Sequence, residues 1–307
     1  MLSIRENVPL SPLTTFKIGG SAKYFVDVSD EEDIKAAVLW ARSKAVPLVV
    51  LAGGSNVLIA DEGIDALLMH VVLRTNSFQA MELTADAGCN LLELIKKASV
   101  LGLGGWESLA GIPGTIGGAV RGNAGAFGTE IKDMLLSATA FNMATFETKE
   151  FQNSECDFAY RHSFFKDNPE WILLRAVIGL KKVTPGDSIA SINNTIIERE
   201  RRHLQNVQAA GSYFTNPVAP DVVQAMFEQE KGVKSREGRV PAGWLIEKVG
   251  MKGAKVGGAI ASEQHPNYLV NTGSATAKDV LELAARIKTA VSDRFGVQLD
   301  EEAAVLG

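Results

Sequence analysis

Only two cysteines, Cys89 and Cys156, occur in the 307 residues. They form no CxxC pair, so the sequence offers neither a disulfide framework nor a zinc ribbon. The four histidines, His70, His162, His203 and His265, are scattered and no HExxH occurs, so no metal site is expected. Cysteine this sparse fits a reducing, cytoplasmic setting. The longest apolar runs, such as 48–52, are far too short to span a bilayer. The opening segment MLSIRENVPLSP lacks the apolar core of a signal peptide. Basic charge is not in excess: 31 Lys and Arg stand against 36 Asp and Glu, a net charge of −5. That balance argues against general binding to nucleic acid or anionic membranes, and any anion site must be made locally. Two familiar nucleotide loops are missing as well. GxxxxGK[ST] is absent, which excludes a P-loop enzyme. A strand–GxGxxG–helix fingerprint is absent because Gly102-x-Gly104 continues to Glu107 where a third glycine would stand.

What the chain does have is ordinary globular composition, 46% hydrophobic and 22% charged, at a length sufficient for two or three domains. It also has glycine in one dense stretch, GLGGWESLAGIPGTIGGAVRGNAGAFG, residues 102–128. Glycines bury no side chain, so such a cluster marks unusual backbone angles or close approach of the backbone to something else. Ile112-Pro113-Gly114-Thr115 reads as a tight turn, and Gly117-Gly118-Ala119 permits close approach of a helix or a ligand. Exposed N–H groups at such a turn form an anion-binding concavity. The stretch therefore reads as a cradle for a phosphate-bearing cofactor; the plainer reading is a crowded turn between packed layers.

Taken in order, residues 1–12 read as an arm and 23–28 as a strand. A helix follows with Ser29 as its cap, Glu32 in capping-box position and Ile34, Ala37, Val38 and Ala41 on one stripe. Residues 47–51 read as a buried strand ending in the polar loop Ala52-Gly53-Gly54-Ser55-Asn56. This β-α-β order places a glycine loop at a strand's C-terminal end, where ligands of α/β folds bind. Further strands are expected at 66–73, 81–87, 136–141 and 171–180. Asn90 opens a helix with Glu93 as box partner and Gly102 past its end. Residues 189–202 form a helix whose end, Arg199-Glu200-Arg201-Arg202, reads as a solvated face or as arginines meeting a substrate phosphate. Beyond Gln208 the texture becomes that of a separate α+β domain: a loop at 211–217, helices at 222–231 and 242–250, a glycine-rich bend at 253–260, a strand at 268–271 and a long helix at 277–295. The last segment, 297–306, alternates as a strand, with Glu302 on the face of Gln298 and Asp300 and Glu301 on that of Leu299 and Val305.

Seven motifs occur in sequence: Phe16-Lys17-Ile18-Gly19-Gly20; Ala52-Gly53-Gly54-Ser55-Asn56; Ala110-Gly111-Ile112-Pro113-Gly114-Thr115-Ile116-Gly117-Gly118-Ala119; Asn123-Ala124-Gly125-Ala126-Phe127-Gly128; Tyr160-Arg161-x-Ser163-x-Phe165; Gly211-Ser212-x-Phe214-x-Asn216-Pro217; and Ala242-Gly243-Trp244-Leu245-Ile246-Glu247. One alone is unspecific, but seven in order are very specific. Together they resemble the UDP-N-acetylenolpyruvoylglucosamine reductase family of bacterial cell-wall synthesis, from about residue 14 to the C-terminus. The resemblance implies an α+β chain: an FAD-binding fold of the vanillyl-alcohol-oxidase (PCMH) type, made of two α/β subdomains, at 1–75 and 76–185. A linker helix and α+β substrate-binding domain follow at 186–296, and the strand at 297–307 returns to the FAD-binding part. The stretch between Leu180 and Ser212 holds one helix and no room for a substrate-covering tyrosine loop, which resembles the shorter subclass.

The resemblance implies non-covalent FAD, NADPH as co-substrate, and a UDP-N-acetylglucosamine enolpyruvate substrate reduced to UDP-N-acetylmuramate. It assigns the pyrophosphate to Gly53, Gly54, Ser55 and Asn56 and to Ile112, Pro113, Gly114, Thr115, Gly117 and Gly118, with Gly125 also beside the cofactor. Arg161 and Glu302 become electrostatic groups for the enolate-like charge, and Ser212 the proton donor. Tyr160, Asn216, Lys252 and His265 match positions lining the substrate site. Taken alone, Arg161 reads as a surface salt-bridge partner, Glu302 as a solvated strand residue and Ser212 as a turn former. The chain departs from the family in three places: Thr215 stands where lysine is common, Asn206 where proline is, and Leu299-Asp300-Glu301-Glu302-Ala303-Ala304 where Leu-Glu-x-Glu-Val-Arg is. A monomer in the cytoplasm is expected. Another FAD-dependent oxidase of the same cofactor fold, or an inactive nucleotide-sugar binder, is the competing reading.

Overall fold

The computed structural model describes residues 2–202 and 206–307; His203 lies outside them. The chain divides into two compact units. The first comprises Met1–Val8, Ala22–Gly54 and Asp65–Arg199, and the second Pro9–Ser21, Ser55–Ile64 and Glu200–Gly307.

The first unit holds two larger sheets and two short two-stranded ones, Gly125–Ala126 with Thr129–Glu130 and Leu103–Gly104 with Lys181–Lys182. In the four-stranded one, Arg5–Pro9, Ser21–Val28, Ile64–Val71 and Leu48–Leu51 lie side by side in that order. Leu48–Leu51 pairs with Ile64–Val71 in parallel, and the helix Glu31–Lys44 joins Ser21–Val28 to Leu48–Leu51. The helix buries Ile34, Ala37, Val38 and Ala41, the stripe read from the sequence. Its cap differs from expectation by one residue. Asp30 is the N-cap and accepts from Asp33 N–H, while Ser29 donates to the Asp33 carboxylate through both N–H and Oγ. Two other expectations fail here. Residues 5–9 of the supposed arm form an edge strand. The strand expected to be buried at 47–51 is also an edge strand, with only Leu51 buried and Val50 36% exposed.

The five-stranded sheet is antiparallel, in the order Thr148–Gln152, Leu135–Asn142, Trp171–Gly179, Glu82–Asp86, Asn76–Gln79. Two helices start beside it. Asn90 caps Leu91–Val100 by accepting from Glu93 N–H, and Thr115 caps Ile116–Arg121 by accepting from Gly118 N–H. The apolar sides of both sheets and of these helices form one core around Trp106, Phe141 and Phe165. The Pro185–Arg201 helix closes the unit; its Ser188 Oγ donates to Glu107 at 2.6 Å. Arg199, expected on a solvated face, is 6% exposed.

The second unit has its own core around Phe16, Tyr213, Phe214, Trp244 and Leu245. The Ala277–Phe295 helix carries a full capping box, Thr276 with Asp279, and ends in left-handed Gly296. A three-stranded antiparallel sheet, Lys255–Val256, Ala259–Ala261 and Leu269–Asn271, packs on it. The segment 297–306 is not a continuous strand: only Ala304–Leu306 is, paired in parallel with Val57–Ile59. The strict alternation expected there does not hold, since Leu299 is buried and Val305 is 46% exposed. Among the described residues no helix is long and apolar enough to cross a membrane.

Candidate functional site

The two glycine loops meet within the first unit. A Cβ placed on Gly53 would lie 3.1 Å from Gly114 Cα and 3.2 Å from Thr115 Cγ2, so backbone faces backbone with no room for a side chain. Gly114 has φ +123°, a conformation L-residues rarely adopt. Among the described residues, the N–H groups of Gly54, Gly114 and Thr115 meet no protein acceptor. Such a run of free amides can bind an anionic oxygen. Ile112 and Pro113 lead into the turn, Ile112 half-buried and Pro113 exposed. The neighbouring glycines divide by role. Gly117 donates its N–H to Ala87 O at 2.8 Å, and a Cβ there would lie 2.8 Å from Ala87 Cβ, so it packs helix against strand. Gly118 is exposed, with only Thr115 Oγ1 near a Cβ, at 3.7 Å. The chain passes to the second unit between Gly54 and Ser55. There Asn56 turns away from the loop: its Nδ2 donates to Glu302 O at 3.1 Å, and its carbonyl accepts from Ala304 N–H.

Arg161 stands at the tip of a tight turn closed by reciprocal bonds between Ala159 and His162. Its φ is +56°, a strained conformation for a residue with a side chain, and such strain concentrates at functional sites. Surrounding groups hold it there. Arg161 Nη2 donates to Gly125 O at 3.0 Å, its guanidinium lies 5.2 Å from the Tyr160 ring centroid, and Lys166 Nζ donates to its carbonyl. Buried Asn123 donates to Ala159 O and to Glu130; buried Ser163 donates to Arg121 O at 2.6 Å; Phe165 is in the core. The Tyr160-Arg161-x-Ser163-x-Phe165 motif is thus one presented cation on a fastened turn. Gly125 leaves space for its hairpin partner, since a Cβ would lie 2.7 Å from Glu130 Cγ.

The second unit presents Ser212 and Glu302 on backbone segments joined to one another. Glu302 N–H donates to Tyr213 O at 2.7 Å, and Phe214 bridges Glu301. Tyr213 and Phe214 are 1% exposed and pack edge to face, with centroids 5.1 Å apart. Burial, reinforced by the Glu301 charge, pushes the Tyr213 hydroxyl above its ordinary pKa. Glu301 itself is engaged elsewhere: both of its oxygens lie 3.0 Å from Lys288 Nζ. The three other residues read as lining a substrate site have local partners. Asn216 Oδ1 accepts from Ala242 N–H at the start of the Ala242–Lys248 helix. Lys252 pairs with Glu247 at 3.4 Å, and the His265 ring packs on Tyr268 with centroids 5.0 Å apart. Thr215, in place of the usual lysine, donates its N–H to Asp300 O. Sequence reasoning missed Asn267, a buried polar residue whose partners are distant in sequence, and gave Asn123 and Ser163 no role although both stand in its motifs.

Residues 202–306 match the family model described as UDP-N-acetylenolpyruvoylglucosamine reductase, C-terminal domain, and residues 22–147 match the FAD binding domain. The UDP-N-acetylenolpyruvoylglucosamine reductase of Solibacter usitatus is 34% identical over 306 residues, spanning 100% of this chain and 97% of that protein. That of Carboxydothermus hydrogenoformans is 37% identical over 313 residues, spanning 99% and 94%. The crystal structure of UDP-N-acetylenolpyruvylglucosamine reductase (MurB) from Thermus caldophilus covers 100% of both chains with a TM-score of 0.80 at 30% identity. The fold is therefore α+β, an FAD-binding fold of the vanillyl-alcohol-oxidase type followed by a C-terminal domain. The chain belongs to the UDP-N-acetylenolpyruvoylglucosamine reductase family.

Proposed function

We propose that this protein is an FAD-dependent oxidoreductase that uses NADPH to reduce UDP-N-acetylglucosamine enolpyruvate to UDP-N-acetylmuramate. The observation that carries the reading is likeness along the whole chain to proteins named for that reductase activity. The residues present fit the cofactor: Gly53 faces Gly114 and Thr115 where a Cβ would intrude, and among the described residues the amides of Gly54, Gly114 and Thr115 meet no protein acceptor. Gly53, Gly54, Ser55, Ile112, Pro113, Gly114, Thr115 and Gly118 would hold the pyrophosphate of non-covalent FAD. Gly117 acts through packing, Gly125 by orienting Arg161, and Asn56 through its clasp on the Glu302 segment. FAD held there would supply the hydride transfer that links NADPH to C3 of the enolpyruvyl group.

The chain's own residues do the rest. Negative charge builds on the substrate carboxylate as the hydride arrives, and the Arg161 guanidinium and the Glu302 carboxyl stabilise it. Ser212 Oγ gives a proton to C2, and the net reaction consumes one NADPH and one proton per double bond reduced. Tyr160, Asn216, Lys252 and His265 line the substrate site, with Thr215 omitting the usual lysine contact. We assign the cofactor to 1–75 and 76–185, rejoined by 297–307, and the substrate to 186–296, in the shorter subclass without a tyrosine loop. The setting is peptidoglycan synthesis in the cytoplasm by a monomer, and through it cell-wall biogenesis, cell shape, the cell cycle and division. Mass spectrometry of the UDP-sugar tests the reading. A two-hydrogen gain that requires NADPH supports it; oxygen consumption with an alcohol, and no such gain, would favour an oxidase of the same cofactor fold.

A further inference from the structure

Ser212 sits between a hinge and a clamp. On its N-terminal side Gly211 has φ +78° and no atom within 4 Å of a would-be Cβ, and the next fixed points upstream are Ala209, whose carbonyl accepts from Thr15 Oγ1 at 2.8 Å, and Gln208, whose carbonyl accepts from Asn271 N–H. On its C-terminal side one residue grips the next two. Asn267, 2% exposed, accepts Tyr213 N–H on its main-chain oxygen at 2.7 Å. Its side-chain amide then closes a two-point contact with Phe214: Oδ1 accepts Phe214 N–H at 3.0 Å and Nδ2 donates to Phe214 O at 2.8 Å. A single bond would leave a pivot, whereas two antiparallel bonds fix both the position and the tilt of the residue. The far side of Tyr213 accepts Glu302 N–H, so the same clamp fixes the Ser212 segment relative to the Glu302 segment.

We propose that Asn267 is a positioning residue for protonation of the substrate, acting through the Phe214 backbone to hold the Ser212 hydroxyl at its working place. The proposal rests on the reading of Ser212 as proton donor. Removing the amide leaves both buried Phe214 groups without their partner, and they can regain partners only by moving the loop. A displacement near 1 Å of a reacting group costs about 10²-fold in rate. Asn267 has no part in hydride entry, so only one half of the turnover feels its loss.

The test uses holoenzyme carrying Asn267→Ala, Asn267→Asp or Ser212→Ala, and the Asn267→Ala/Ser212→Ala pair, in anaerobic stopped flow with NADPH and then UDP-N-acetylglucosamine enolpyruvate. The proposal expects flavin bleaching by NADPH within about twofold of wild type in every variant, and reoxidation slowed about 10²-fold in Asn267→Ala. The double variant reoxidises no more slowly than Ser212→Ala alone. Asn267→Asp keeps the acceptor for Phe214 N–H, and its carboxyl can donate to Phe214 O only when protonated; its rate relative to wild type therefore recovers as the pH is lowered. Hydrogen exchange, a readout independent of turnover, shows faster deuteration across 213–215 in Asn267→Ala. If that variant does not accumulate folded, Asn267→Asp and its pairing with Ser212→Ala carry the same comparisons. Equal slowing of both halves, or the full factor repeated on the Ser212→Ala background, would overturn the proposal. Normal reoxidation in Ser212→Ala would instead overturn the proton-donor reading beneath it.

Discussion

Gly117 and Gly118 are adjacent, yet the structure gives their substitution by alanine opposite consequences. At Gly118 a Cβ meets only Thr115 Oγ1, at 3.7 Å, and the position is helical and exposed. Gly118→Ala should therefore leave the apoprotein as stable as before, or stabilise it by up to about 1 kcal/mol, since glycine inside a helix costs roughly that much relative to alanine. If FAD's pyrophosphate lies against this turn, the methyl group takes space the cofactor needs. Overpacking of one methyl costs about 1–3 kcal/mol, which weakens FAD binding roughly 5–150-fold. At Gly117 the methyl would lie 2.8 Å from Ala87 Cβ and 3.1 Å from Ala87 O, inside the protein itself. Gly117→Ala should lower apoprotein stability by about 1–3 kcal/mol. The assay is paired: thermal unfolding of each apoprotein, and FAD titration followed by quenching of flavin fluorescence. A Gly118→Ala apoprotein of normal stability that binds FAD as tightly as wild type would refute the placement of the cofactor on this turn.

Ser212→Ala should separate the half-reactions: NADPH bleaches the flavin at a near-normal rate, while reoxidation by substrate slows roughly 10²–10⁴-fold or more; equal slowing of both halves would assign Ser212 to cofactor or nicotinamide positioning instead. Glu301→Gln should leave reoxidation near the wild-type rate because Lys288 already occupies that carboxylate, whereas Glu302→Gln should slow it; the reverse would move the role by one residue. Cys89 and Cys156 are buried, and burial pushes both thiols up, Cys156 to about 11. A neutral-pH disulfide reagent should accordingly modify neither in the native protein and both in denaturant, and rapid native labelling would contradict the packing.

Local signals carried much of the fold. The Ala277–Phe295 helix was legible from its stripe of Val280, Ala284, Ile287, Val291 and Phe295, and the Thr276–Asp279 capping box and left-handed Gly296 of the structure bound it at the same residues. The first helix was legible by its stripe, but its cap was displaced by one residue because Ser29 and Asp30 are both good caps and Asp33 can serve either. What sequence could not disclose is non-local. Nothing in Ala304–Leu306 indicates a parallel partner at Val57–Ile59, and the apparent alternation of 297–306 came from residues that are mostly loop. The site divides in the same way. Glycine density exposed the two loops, and their meeting at Gly53 and Gly114 follows from the tertiary fold. Alternation set Glu302 apart from Glu301, but most of that segment is not strand, and the contact of Glu301 with Lys288, thirteen residues away, has no mark in the local pattern. Asn267 gave no signal at all, because an asparagine beside a short apolar run looks like a turn until Phe214 is placed against it.

The central claim is that one protein accepts hydride from NADPH on FAD and passes it to an enolpyruvyl ether of a UDP-sugar. The most direct measurement is the anaerobic absorbance spectrum of purified holoenzyme through two additions. The account predicts an oxidised-flavin band that NADPH bleaches and that stoichiometric UDP-N-acetylglucosamine enolpyruvate restores without oxygen, with free FAD released on denaturation. A protein that is colourless and takes up no added FAD, or a bleached band that only oxygen restores, would contradict it.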